Sequence, residues 1–321
     1  MPSLRQSSLH LFRFAGIDVF LHWSWFLVAI FEIEAWRGRY SSISWNILEY
    51  LTLFVIVLLH EFGHALACRS VGGKAERIML WPLGGVAYVN PPQRPGAQLW
   101  SLAAGPLVNV AFVPLTFIAA GLAANAGWAQ SHPDVYQYVL AVRWINGILL
   151  AFNLLPVYPL DGGQILRSLL WFLLGRGRSL AVATVVGFIG LIGYGVLVLL
   201  ERNTWDITWG IVMGGYLLMN CWGGLKAARV LLRQEKLPRR PGFACPACRE
   251  APPLAPLWRC SNCHQNFDTF ATGGVCPHCG ARFDATTCIY CFERRPLREW
   301  YLGAAPATPP VPTPAASEHA S

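Results

Sequence analysis

Apolar residues dominate the first 235 positions, in long runs separated by short polar loops. Six runs stand out, at about 16–35, 46–68, 98–124, 136–158, 180–200 and 207–229. Each approaches the ~20 residues a helix needs to cross the hydrocarbon core of a bilayer. No small-residue cleavage site follows the first run, so it reads as a span rather than a signal peptide. Between the second and third runs, residues 74–92 alternate loosely between apolar and polar and contain Gly84-Gly85, which predicts a short hairpin at the membrane edge. Residues 164–175 are apolar but too short to span, and predict an interfacial or partly inserted helix.

The expected fold class is therefore mainly α: a polytopic six-helix transmembrane bundle with a small membrane-edge β-hairpin. Composition agrees, because 54% of the 321 residues are hydrophobic and only 13% are charged, about half the usual charged share. An ordinary soluble domain is excluded. The net charge of +8 is less a sign of nucleic acid than of loop asymmetry. One set of loops collects Arg69, Lys74, Arg77, Arg94, Arg167 and Arg176, while the opposite set holds only Arg37, Arg39 and Arg202. Positive loops stay inside, so both termini are expected in the cytoplasm of a multi-pass protein of the cell membrane.

The pattern changes near residue 235. Four regions are expected: a transmembrane domain over 1–235, a basic linker over 236–243, a Cys-rich domain over 244–300 and a disordered Pro/Ala-rich tail over 301–321. Eight of the ten cysteines fall in C-x-x-C pairs: Cys245/Cys248, Cys260/Cys263, Cys276/Cys279 and Cys288/Cys291. Such knuckles suit tetrahedral thiolate zinc sites far better than disulfides, and imply a reducing compartment. They supply two structural Zn2+ sites, paired either sequentially or in a nested order. The unit resembles a zinc ribbon. Its scattered arginines favour docking of a cytosolic regulator or partner protein over nucleic acid.

The second run contains His60-Glu61-Phe62-Gly63-His64. Two histidines four residues apart share one helix face and can hold one ion, with the intervening glutamate beside it as a general base. A hydrolytic zinc site needs a third protein ligand and one position left for water. Asp161, in Asn153-Leu154-Leu155-Pro156-Val157-Tyr158-Pro159-Leu160-Asp161-Gly162-Gly163, is the candidate. Its segment ends the fourth run on the side of the membrane where the histidines lie. The prolines break the helix there, and Gly162-Gly163 permits unusual backbone torsions. His22 in the first run is either a ligand or, more simply, a histidine bonded to neighbouring polar groups, and Arg143 either pairs with Glu49 or snorkels outward.

HEFGH on a span, Ala104-Gly105-Pro106-Leu107-Val108-Asn109 on the next, and NLLPVYPLDGG a hundred residues on resemble the site-2 protease family of intramembrane zinc metalloproteases. The resemblance covers about residues 15–230. It implies a catalytic zinc on His60, His64 and Asp161, and Glu61 as general base. It implies that Asn109 polarises the substrate carbonyl or its oxyanion. It also implies that the edge hairpin, with Gly84, Gly85 and Val86, holds substrate in extended form by strand addition. The expected activity is endopeptidase cleavage of transmembrane protein segments in the lipid bilayer, near the cytosolic face. The alternative is a zinc-holding membrane scaffold without proteolysis.

Overall fold

The computed structural model describes residues 8–81, 84–200 and 204–302. The expected tail from residue 303 onward, and Pro82 and Leu83, lie outside the described residues. The chain divides into two compact units, Met1–Arg229 and Val230–Ser321.

The first unit opens with a hairpin, β1 (Ser8–Phe14) and β2 (Ile17–His22). Its two-residue turn, Ala15-Gly16, has positive φ at both positions, the geometry that matches strand twist. Helix α1 (Ser24–Ala35) follows. The run at 16–35 is thus half strand and half a twelve-residue helix, too short to cross a membrane on its own. Helix α2 (Ile43–Ser70) is 28 residues long. Beyond its end, the positive φ of Gly72 turns the chain into β3 (Lys74–Trp81) and β4 (Gly84–Asn90).

The expected hairpin is half of a four-stranded sheet ordered β1-β2-β3-β4. β2 and β3 run parallel, with Val19 opposite Ile78, and β3 and β4 run antiparallel, with Leu80 opposite Gly85. In β2, Ile17, Val19 and Leu21 are buried in alternation. They pack with Ile78 and Leu80 on Ala65 and Cys68 of α2. Arg69 braces this layer, its guanidinium donating to the carbonyls of Gly16 and Ala75.

The remaining helices are α3 (Pro95–Asn125), the single turn α4 (Trp128–Ser131), α5 (Pro133–Leu154), α6 (Asp161–Leu174), α7 (Arg176–Leu200) and α8 (Thr204–Glu235). Among the described residues, four helices are long and apolar enough to span a membrane: α2, α3, α5 and α7. The sequence predicts six spans, and four of the described helices meet this measure. The first run is interrupted by a strand. α8, though 32 residues long, carries Asn220, several glycines and Lys226, and does not reach the hydropathy of those four. α6 is the fourteen-residue amphipathic helix expected between spans. Arg143 lies 4.7 Å over the Phe117 ring, and Glu49 pairs instead with Arg39 at 3.0 Å.

The second unit has two small antiparallel pairs, β5 (Trp258–Arg259) with β6 (Asn266–Phe267), and β7 (Ala285–Thr287) with β8 (Arg294–Pro296). Trp258, Phe267, Phe270 and Trp300 form its core among the cysteines. The expected linker is partly built into this unit. The Arg240 N–H donates to the Pro252 carbonyl at 2.8 Å, its guanidinium pairs with Asp268, and Phe243 bridges to Tyr301.

Candidate metal centre

His60, Glu61 and His64 lie on the buried half of α2. α3 crosses α2 at backbone range, because a Cβ on Gly63 would stand 2.7 Å from the Ala104 carbonyl oxygen. Gly105 clears space for the imidazoles in the same way. A Cβ there would fall 2.2 Å from His64 Nε2 and 2.8 Å from His60 Nε2.

Asp161 is the first residue of α6, reached after α5 ends at Leu154. Gly162 and Gly163 are both helical, which corrects the expectation of unusual torsions. Their role is close approach. A Cβ on Gly162 would meet the Leu154 carbonyl at 2.3 Å, and one on Gly163 would meet the Tyr158 nitrogen at 2.6 Å. The pair lets the start of α6 fold back onto the end of α5.

These elements bring three donor atoms together. His60 Nε2 and His64 Nε2 are 3.1 Å apart, and Asp161 Oδ2 is 3.0 Å from the first and 3.3 Å from the second. Ligands at about 2.0–2.1 Å around a tetrahedral ion are separated by about 3.3–3.4 Å. The triangle therefore has the size of one face of a zinc tetrahedron, with a fourth position over. Each ring is held by its other nitrogen. His64 Nδ1 faces the Ser101 carbonyl at 2.8 Å, and His60 Nδ1 faces Asn109 Oδ1 at 2.6 Å. A carbonyl oxygen only accepts, so His64 donates from Nδ1 to Ser101, and its Nε2 is the ring atom that faces Asp161.

Glu61 is drawn toward the sheet. Its Oε2 accepts from the Ala87 N–H of β4 at 2.8 Å. A Cβ on Gly85 would overlap its side chain, 2.3 Å from Cγ. β4 is the edge strand, and Val86 is exposed. The predicted residues Gly84, Gly85 and Val86 therefore lie on the strand that borders the carboxylate.

Asn109 is fully buried. Its Oδ1 meets His60 and its Nδ2 donates to Asn146 Oδ1 at 2.9 Å. This amide is engaged behind His60, not at the face where Asp161 stands. Asn146, which sequence reasoning passed over, is an amide inside the apolar stretch of α5; that is the signal that could have found it. His22 is outside the donor cluster. Its Nδ1 bonds Ser24 Oγ and its ring stacks on Trp81 at 4.5 Å.

In the second unit the cysteines gather in nested order, Cys245/Cys248 with Cys288/Cys291 and Cys260/Cys263 with Cys276/Cys279. Four sulfur pairs, Cys245–Cys291, Cys248–Cys288, Cys260–Cys279 and Cys263–Cys276, are separated by 3.6 to 3.7 Å. That is far beyond the ~2.05 Å of a disulfide. It is close to the ~3.8 Å edge of a tetrahedron with Zn–S bonds of about 2.3 Å. At the exposed Cys279, the backbone N–H of Ala281 pulls the thiol down to about 6.

The sequence matches the model of peptidase family M50 over residues 49–131 and 123–197. It is 34% identical over 182 residues to a zinc metalloprotease of Methanocaldococcus jannaschii, a match covering 56% of this chain and 50% of that protein. It is 33% identical over 120 residues to stage IV sporulation protein FB of Bacillus subtilis, covering 36% and 38% respectively. The chain thus spans about half the length, or less, of these curated relatives. Among solved structures it is similar to the site-2 protease of M. jannaschii, at 28% identity and a TM-score of 0.47, over 68% of this chain and 95% of that one. The residues matched to the family hold the HEFGH turn and Asp161 but stop short of the cysteine knuckles. The likeness to peptidase family M50, the site-2 protease family, is thus carried by residues 49–197 and by relatives named zinc metalloproteases.

Proposed function

We propose that this protein is an intramembrane zinc endopeptidase that hydrolyses peptide bonds of transmembrane segments near the cytosolic face. The observation that carries the reading is the donor triangle of His60, His64 and Asp161, with Glu61 on the same turn and an edge strand beside it. His60, His64 and Asp161 hold the zinc. When bound, the ion supplies Lewis acidity, acidifying water and polarising the scissile carbonyl.

Glu61 takes the proton of the attacking water and passes it to the leaving amine. The glutamate now bonds the Ala87 N–H of β4, so substrate added along that edge arrives within its reach. A substrate helix unwinds before its carbonyls become available, and an extended segment along Gly85 and Val86 replaces its lost backbone bonds. Asn109 is assigned to holding His60 rather than to the oxyanion, because both ends of its amide are engaged there. Arg69, Lys74, Arg77 and Arg94 around the catalytic end of α2 support a cytosolic position for the site.

The two nested four-thiolate clusters hold structural zinc and close a small ribbon that docks a cytosolic partner or substrate tail. The deciding experiment is Glu61→Gln, assayed on a single-span substrate in reconstituted membranes. Cleavage is expected to fall by at least about a hundredfold, the usual scale for a lost general base. Undiminished turnover rejects the proposal.

A further inference from the structure

We propose that Asn146 is a positioning residue that sets the proton tautomer of His60, and through it readies that ring for zinc; this rests on the reading of His60 as a ligand. One chain of buried amides links α5, α3 and α2. Asn146 and Asn109 are both fully buried, so each polar atom must find its partner within the protein.

Asn146 Nδ2 lies 3.0 Å from the backbone carbonyl of Asn109. That carbonyl can only accept, so the NH2 end of Asn146 must face it, and its Oδ1 must face the Asn109 side chain. Asn146 Oδ1 is 2.9 Å from Asn109 Nδ2. It too only accepts, which turns the NH2 of Asn109 toward Asn146 and its Oδ1 toward His60. Asn109 Oδ1 lies 2.6 Å from His60 Nδ1, and it requires a proton there. His60 then donates from Nδ1, and Nε2, the atom 3.0 Å from Asp161 Oδ2, is the nitrogen left to take an ion. One backbone carbonyl thus determines two amide orientations and one imidazole tautomer.

Remove Asn146 and the Asn109 amide is free to rotate. Its NH2 can then face Nδ1, which moves the ring proton to Nε2 and blocks the ligand position. His64 needs no such relay, because the Ser101 carbonyl holds its Nδ1 directly. The asymmetry makes His60 the ligand whose readiness depends on a residue far from the motif.

The test uses the full chain in detergent or nanodiscs with zinc alone as the probe. A chelator competition separates the ions, and the site in question is the one weakened by His60→Ala. Asn146→Leu is expected to weaken that same site about 10- to 100-fold, the usual range for residues that support a ligand. The thiolate-held ions should not change. In the wild type, isotope-labelled ring nitrogens of His60 should show a proton on Nδ1; Asn146→Leu should lose it. Unchanged zinc affinity in a folded Asn146→Leu protein overturns the proposal. So does a wild-type His60 whose single proton sits on Nε2, a measurement that needs no variant to fold. If His60→Ala itself binds zinc like the wild type, the metal reading fails and Asn146 falls with it. That result is distinct from a loss in His60→Ala that Asn146→Leu does not share.

Discussion

Gly105 lies directly against His64, so close that a methyl group on its Cα would fall 2.2 Å from the imidazole Nε2. Neither ring can retreat, because His64 Nδ1 is bonded to Ser101 and His60 Nδ1 to Asn109. The glycine therefore shapes the donor triangle without contributing a ligand atom. Gly105→Ala is expected to displace the His64 ring and lower zinc affinity at this centre by at least about tenfold, as lost ligand support does. Zinc per chain should fall by one ion after mild chelation, while the thiolate sites stay loaded. Metal analysis of the purified variant beside the wild type checks this.

The second close approach, Gly85 on Glu61, predicts a different phenotype. A side chain at position 85 presses on the carboxylate but touches no ligand. Gly85→Ala should keep its full complement of zinc and lose turnover, as a misplaced general base does, by about 10²-fold. Measuring zinc content and cleavage rate on one preparation separates this from Gly105→Ala, which loses both.

Much of this site was legible in the sequence, and the reasons are local. HEFGH has a helical spacing, and His60, Glu61 and His64 are costly within an apolar run unless an ion or a partner holds them. Asp161 follows from the need for a third ligand at the same depth. What escaped were relationships set by tertiary packing. The alternation of Ile17, Val19 and Leu21 is a strand signal, but an average over the apolar run containing α1 hides its period of two. The nested thiolate pairing depends on how the two hairpins fold together, which spacing alone leaves open. Asn146 lies 37 residues from Asn109, and only the crossing of α3 and α5 shows what it does.

The nested pairing can be tested by counting ions. In this order, Cys245 and Cys248 share an ion with Cys288 and Cys291. Replacing those four with Ser should remove one zinc and leave the other. Replacing Cys245, Cys248, Cys260 and Cys263 together should remove both. Sequential pairing gives the opposite pattern. Zinc content of the two quadruple variants distinguishes them, with Glu61→Gln as a background to suppress self-cleavage.

Metal removal should also divide the protein by region. The Cys-rich unit has a core of a few aromatic side chains around its cysteines, too small to stay folded without its ions. The membrane unit is held by helix packing and by a sheet whose strands rest on α2, so loss of the ion from His60, His64 and Asp161 leaves its fold standing. Strong chelation at neutral pH is therefore expected to bring fast amide exchange to residues 244–300 while α2 and α3 remain protected. Re-adding zinc should restore protection to the Cys-rich unit. Exchange read by mass spectrometry in a membrane mimetic checks both halves. Loss of protection in α2 at the same chelator concentration would mean that the catalytic ion is a folding element of the bundle, and that its donors are not preformed by Gly105, Ser101 and Asn109.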